Sequence, residues 1–177
     1  MSMRRIVLVG FMGAGKSTVG PLLARLLGWH FVDIDPLIEK AAGLSVAEIF
    51  AQRGEAFFRG EERRVAEDLA REERLVVAAG GGAFAHPETR EALQRGAVVV
   101  WLRCDLDTIL GRIPPDGSRP LAANRERIQA LFAERESSYR LADMTVDAKT
   151  GGPDEVARRI ARAVSGGGAG GAEDVDR

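Results

Sequence analysis

Gly10-Phe11-Met12-Gly13-Ala14-Gly15-Lys16-Ser17-Thr18 fills every fixed position of the pattern G-x-x-x-x-G-K-[ST], and its reading decides the fold. Immediately upstream, Ile6-Val7-Leu8-Val9 is an unbroken apolar run, which predicts a buried parallel strand over Arg5 to Val9. Downstream, Val19 to Leu27 predicts a helix with Leu22, Leu23, Leu26 and Leu27 on its apolar face. Strand, glycine loop and helix are the context in which such a loop cradles phosphate. Gly10, Gly13 and Gly15 let the backbone turn so that successive N–H groups point inward, and the helix N-terminus adds positive partial charge. The candidate nucleotide-phosphate residues are therefore Gly13, Ala14, Gly15, Lys16, Ser17 and Thr18. Lys16 is expected to reach the β- and γ-phosphates and the Ser17 hydroxyl to ligate Mg²⁺.

Composition sharpens the reading of Lys16. Of 25 Lys and Arg residues only Lys16, Lys40 and Lys149 are lysine, so the chain uses arginine wherever either cation serves. A slender ammonium fits between phosphates where a planar guanidinium does not.

The chain has 177 residues, 45% hydrophobic and 29% charged, which is enough for one globular domain with a full core. That domain is expected over residues 1–164, followed by a disordered Gly-rich, acidic tail over 165–177. A net charge of −1 argues against nucleic acid or an anionic membrane as the main partner. The single cysteine, Cys104, excludes an intramolecular disulfide and suits a reducing compartment. Met1 to Arg5 leads straight into the first strand without a signal-peptide pattern, so a cytoplasmic location is expected.

Gly28 ends the first helix, and Trp29 to Val32 opens a second strand closing on Asp33-Ile34-Asp35. In an open α/β sheet the strand C-termini face the ligand crevice, which brings both carboxylates near the phosphates. One could hold Mg²⁺ and the other accept a proton from an attacking hydroxyl; equally, Asp35 could cap a helix starting at Pro36. Ser45-Val46-Ala47-Glu48 is a capping box, and Gly54 and Gly60 predict two helices with a bend between Ser45 and Glu73. Within that region Phe57-Phe58-Arg59 suits a carboxylate held against an apolar wall, although Glu61-Glu62-Arg63-Arg64 reads as a solvated face.

A third strand, Leu75 to Ala79, runs into Gly80-Gly81-Gly82, where a ligand could approach the backbone closely. Pro87 to Arg95 predicts a helix, Ala97 to Leu102 a fourth strand and Leu106 to Arg112 a helix capped by Asp105. The stretch from Arg112 to Leu121, rich in Pro and Gly and bracketed by Arg112 and Arg119, reads as a lid over about 112–124. A long helix follows from Asn124 to Leu141, with Arg135 along its apolar stripe, either snorkelling outward or pointing into the pocket. Met144 to Val146 forms a fifth strand, Asp147 to Pro153 a tight loop and Asp154 to Val164 a final helix.

These motifs in this order resemble the shikimate kinase family, within the nucleoside monophosphate kinase-like group of phosphate-loop proteins. The resemblance rests on Gly10 to Thr18, Asp33 and Asp35, G-x-S-V-x-E-I-F at Gly43 to Phe50, G-E-x-x-F-R-x-x-E at Gly54 to Glu62, Gly80-Gly81-Gly82 and Arg119-Pro120-Leu121, and spans about Arg4 to Ala163. It implies a three-layer phosphate-loop NTPase fold, with a five-stranded parallel sheet ordered 2-3-1-4-5, flanking helices, a substrate-binding segment over about 34–62 and the lid.

The resemblance also implies ATP and Mg²⁺, with Lys16 and Ser17 serving phosphates and metal and Asp33 completing the metal site. It implies that Asp35 binds substrate hydroxyls and acts as base, that Arg59, beside Phe58, and Arg135 clamp the substrate carboxylate, and that Gly80, Gly81 and Gly82 surround its ring. Arg112 corresponds to an adenine-stacking arginine, Arg119 to a catalytic lid arginine, and residues from Asp147 to Pro153 to the adenine border. The implied reaction moves the γ-phosphoryl group of MgATP to shikimate, by a monomer. The enzyme rival is a kinase for another small hydroxy acid such as gluconate. A nucleotide-dependent switch is disfavoured because the sequence lacks [NT]-K-x-D and D-x-x-G.

Overall fold

Arg5–Val9 form β1, the central strand, every residue of it buried. Its neighbours are β3 (Leu75–Ala78) on one side and β4 (Ala97–Arg103) on the other. Strand β2 (His30–Asp33) adds to β3 and β5 (Met144–Asp147) adds to β4, giving the all-parallel order β2-β3-β1-β4-β5 that the family resemblance implies. The computed structural model describes residues 5–112 and 125–166; the lid expectation, with Arg119, and the tail beyond Gly166 fall outside the described residues.

Seven helices are described: α1 (Lys16–Leu27), α2 (Ile34–Ala42), α3 (Val46–Leu69), α4 (Pro87–Gln94), α5 (Leu106–Arg112), α6 (Arg125–Tyr139) and α7 (Gly152–Gly166). A single turn of 3-10 helix, Ala83–Ala85, precedes α4. Among the described residues no helix is long and apolar enough to cross a membrane.

Register explains why the strand ends form a site. Leu8 lies opposite Ala78, which lies opposite Asp33, so the exits of β1, β3 and β2 align at one edge of the sheet. The segments leaving that edge begin with Gly10, Gly80 and Asp35, two residues beyond those partners. At the opposite edge the buried Arg5 guanidinium donates to Leu69 O at 2.6 Å and to Arg95 O, tying the ends of α3 and α4 beneath the sheet.

Local chemistry shifts several boundaries. Helix α1 begins at Lys16 rather than Val19, because Gly15 in a left-handed conformation (φ 101) serves as its N-cap. Its buried face is Val19, Gly20, Leu23 and Ala24, while Leu26 is half exposed. A Cβ on Gly20 would lie 2.1 Å from the Phe31 ring, so the helix presses on β2 at its glycine; of the leucine stripe, Leu23 is in the core, Leu22 and Leu27 pack against it half-buried, and Leu26 turns outward. Helix α2 begins at Ile34 with Asp33 as N-cap, accepting from Asp35 N at 3.3 Å, and this replaces the alternative in which Asp35 caps a helix from Pro36. The Ser45 capping box is present in α3, and the expected bend is a break at Gly54 (φ 82, ψ 168), whereas Gly60 sits inside the second half. Helix α7 runs two residues past Val164, within the usual fraying of helix ends.

Candidate active site

A cleft of about 1220 Å³ opens above the aligned strand ends. It takes in residues 12–19 of the glycine loop and α1, Asp33 at the end of β2 and Asp35 in α2, Arg59, the three glycines after β3, Arg112, Arg135 and Pro153. Gly13 to Thr18, Asp33, Asp35, Phe58, Arg59, Gly80 to Gly82, Arg112, Arg135 and Pro153 thus line one cleft, while Gly10 and Phe57 do not.

In the phosphate half, Lys16 Nζ donates to Gly10 O at 2.6 Å and to Phe11 O at 3.0 Å, so its ammonium lies back across its own loop. Arg112, at the end of α5, donates to Gly13 O and to Ala148 O, each at 3.3 Å, and so bridges the glycine loop and the loop after β5. That second loop is braced by Arg159 of α7, whose Nη2 donates to Asp147 O at 2.7 Å and Thr150 O at 3.0 Å.

Ser17 Oγ donates to Asp33 Oδ2 at 2.6 Å, which sets a hydroxyl and a carboxylate side by side. Among the described residues no group of three or more His, Cys, Asp or Glu is placed to hold a metal. A pair of hard oxygen donors fits Mg²⁺, which takes one or two protein ligands and completes its octahedron with phosphate and water.

The other half is built on arginines. Arg59 Nη1 donates to Glu62 Oε2 at 2.8 Å, while Nε and Nη2 face Glu55 Oε1 at 3.4 and 3.3 Å. Its guanidinium carbon stands 5.3 Å from the Phe58 ring. Arg135 points into the cleft, with its guanidinium carbon 5.7 Å from the Phe11 ring, which closes the alternative left open for its side chain. Burial lowers the Arg135 pKa, and nearby Arg59 lowers it further.

The triple glycine makes room for these charges. A Cβ on Gly80 would lie 2.7 Å from Glu62 Oε1 and 3.0 Å from Asp35 Oδ1; on Gly81, 3.2 Å from Arg135 Nη1; on Gly82, 2.6 Å from Arg59 Nη2. The charged side chains of the site thus approach this loop closely.

Sequence reasoning missed three participants. Glu62, grouped with a solvated run, is fully buried, and its Oε1 has no hydrogen-bond partner among the described residues. Burial pushes its pKa up, Arg59 opposes that shift and Asp35 adds to it. Tyr139, buried against Trp101, donates its hydroxyl to Gly81 O and fixes the middle glycine. Arg127 of α6 also lines the cleft, although Arg125-Glu126-Arg127 carries no signal beyond an exposed charged helix.

A parallel sheet with this strand order and a glycine-loop cleft at its C-terminal edge define a phosphate-loop small-molecule kinase, which uses ATP with Mg²⁺. The shikimate kinase family model matches residues 12–165, and the chain belongs to that family. It is 43% identical over 159 residues to the shikimate kinase of Sulfurihydrogenibium sp. (strain YO3AOP1), covering 89% of this chain and 96% of that protein. A shikimate kinase from Acinetobacter baumannii solved in complex with shikimate superposes with TM-score 0.90 at 35% identity, over 96% of this chain and 97% of the other. The shikimate kinase of Aquifex aeolicus superposes with TM-score 0.84 at 38% identity, over 94% and 99%.

Proposed function

We propose that this chain transfers the γ-phosphoryl group of MgATP to the 3-hydroxyl of shikimate, giving shikimate 3-phosphate and ADP in aromatic amino-acid biosynthesis. The observation that carries the proposal is the placing of Arg59, Arg135 and Asp35 around Gly80 to Gly82, in the same cleft as the phosphate loop. A monoanionic acid bearing hydroxyls matches that arrangement: two guanidinium groups for its carboxylate and one carboxylate for its hydroxyls.

In this reading the backbone N–H groups of Gly13 to Thr18 and the Lys16 ammonium hold the phosphates, with Ser17 and Asp33 holding Mg²⁺. Bound there, Mg²⁺ neutralises charge on the β- and γ-phosphates. Arg112 and the loop through Pro153 flank the base. Arg59 and Arg135 fix the acid against Phe58, and Asp35 accepts the proton of the attacking hydroxyl. Arg119, outside the described residues, is assigned by the family resemblance to charge on the transferring group. Most of the rate then comes from positioning and charge stabilisation.

The proposal extends to a single kinase domain that includes α7 through Gly166, working as a monomer in the cytoplasm without nucleic-acid or membrane partners. The net charge of −1 supports the lack of nucleic-acid and anionic-membrane partners, and the lone cysteine a reducing compartment.

A coupled ADP-release assay with MgATP tests the reaction against shikimate, gluconate, a nucleoside monophosphate panel and water. Release with shikimate alone is expected. Release with gluconate or a nucleotide instead, or none above the water blank, contradicts the substrate assignment.

A further inference from the structure

Arg59 is held by two carboxylates that differ in kind. Glu62 contributes a fully buried side chain, and its Oε2 takes one Nη1 hydrogen bond at 2.8 Å. Glu55 has a side chain that is 64% exposed, and it meets Nε and Nη2 loosely, at 3.4 and 3.3 Å. The Nε and Nη2 pair is the side of a guanidinium that receives a carboxylate in bidentate fashion. Glu62 therefore anchors the guanidinium from below, while Glu55 occupies the edge that an incoming carboxylate would use.

The backbone lets that occupant leave. Glu55 directly follows Gly54, where the helix breaks, so it opens the second half of α3 and lines the cleft. An exposed, long, solvent-screened ion pair costs little to break, whereas the buried contact to Glu62 does not yield without stranding a charge. Gly82 carries no side chain where a Cβ would lie 2.6 and 2.9 Å from Nη2 and Nη1, so the loop leaves the guanidinium its place beside Glu62.

We propose that Glu55 is an internal competitor for the carboxylate clamp: it holds the bidentate edge of Arg59 until the acid displaces it, and so sets substrate affinity as a positioning residue. This rests on the reading of Arg59 as a carboxylate-binding residue given above. The same exchange run backwards returns Glu55 to Arg59 as the phosphorylated acid departs.

Calorimetric titration with shikimate tests this on the parent chain, Glu55→Gln, Glu55→Ala, Arg59→Ala and the double variant Glu55→Gln/Arg59→Ala. Removing the competing charge is expected to tighten binding about two- to fivefold in both Glu55 variants, the scale of an exposed ion pair. The gain should shrink as salt is raised from 20 to 500 mM. In the Arg59→Ala background the Glu55 change should give no gain. Unchanged or weaker binding in both Glu55 variants overturns the proposal, and so does an equal gain with and without Arg59, which reports only bulk charge. If Arg59→Ala itself binds shikimate as the parent does, the carboxylate-clamp reading fails and the proposal with it, an outcome distinct from failure of the Glu55 effect alone.

Discussion

Glu62 shows how a single side chain can set the terms of a site. It is wholly buried beside Asp35 and Gly80, and burial raises its pKa against the opposing pull of Arg59. The folded chain thus keeps this proton to a higher pH than the unfolded chain does. The stability the group contributes is fully present below its unfolded value and is lost as pH rises through the raised folded value. Replacing it with Gln removes that titration, so urea unfolding at a series of pH values should show Glu62→Gln losing less stability than the parent from the carboxylate range towards neutrality. Parallel pH slopes would contradict the shift. The same variant deprives Arg59 of its charged anchor, and KM for shikimate should rise. Asp35 is the complementary case. Asp35→Asn keeps shape and removes basicity, so kcat should fall by about 10²- to 10⁴-fold with nucleotide affinity retained. Equal losses in both would return Asp35 to a structural role.

Among the elements, the loop after β3 separates backbone freedom from space. Gly82 has φ −101 and ψ −13, open to any residue, so its lack of a side chain serves the Arg59 guanidinium alone. Gly82→Ala should displace that group and raise KM for shikimate at least tenfold while leaving KM for ATP near the parent value; equal rises would point to a general loosening of the loop. Gly60, inside α3 with nothing within 4 Å of its Cβ position, is the control. There Gly60→Ala should stabilise by ~0.4–1 kcal/mol in denaturant titrations.

Local signals made much of this readable in advance. The glycine loop, the Ser45 capping box and the Gly54 break depend on residues close in sequence, and all three stand where the sequence puts them. Arg135 and Glu62 depend on neighbours remote in the chain. Helical spacing places Arg135 on a stripe but cannot say that Phe11 and Gly81 will face it. Likewise Glu61-Glu62-Arg63-Arg64 has the composition of a solvated face, and only the packing of α3 over Gly80 turns Glu62 inward. The leucine stripe of α1 holds for Leu22, Leu23 and Leu27 but not for Leu26, since Gly20 against Phe31 sets which side of that helix meets the sheet.

At the scale of the whole molecule, the sheet register joins two half-sites that neither loop nor helix could build alone. Strands β1, β2 and β3 end level, so the phosphate cradle, the Ser17–Asp33 pair and the arginine half converge on one cleft. Ligand binding should therefore stabilise the fold. With MgADP at a hundredfold excess over Kd the linkage is about 2.7 kcal/mol, or a Tm rise on the order of 5–10 °C for a chain of this size. Chelating Mg²⁺ or introducing Lys16→Met should remove most of that rise, and a rise unaffected by either would place the nucleotide elsewhere. The central claim is that the arginines and Asp35 orient one hydroxyl of shikimate towards the phosphate loop. The most direct measurement is phosphorus NMR of the product formed from MgATP and shikimate. The account predicts one new phosphoester coupled to the proton at C3 and none from the 3-deoxy analogue. Phosphate on another oxygen, or free phosphate released at the same rate without shikimate, would contradict it.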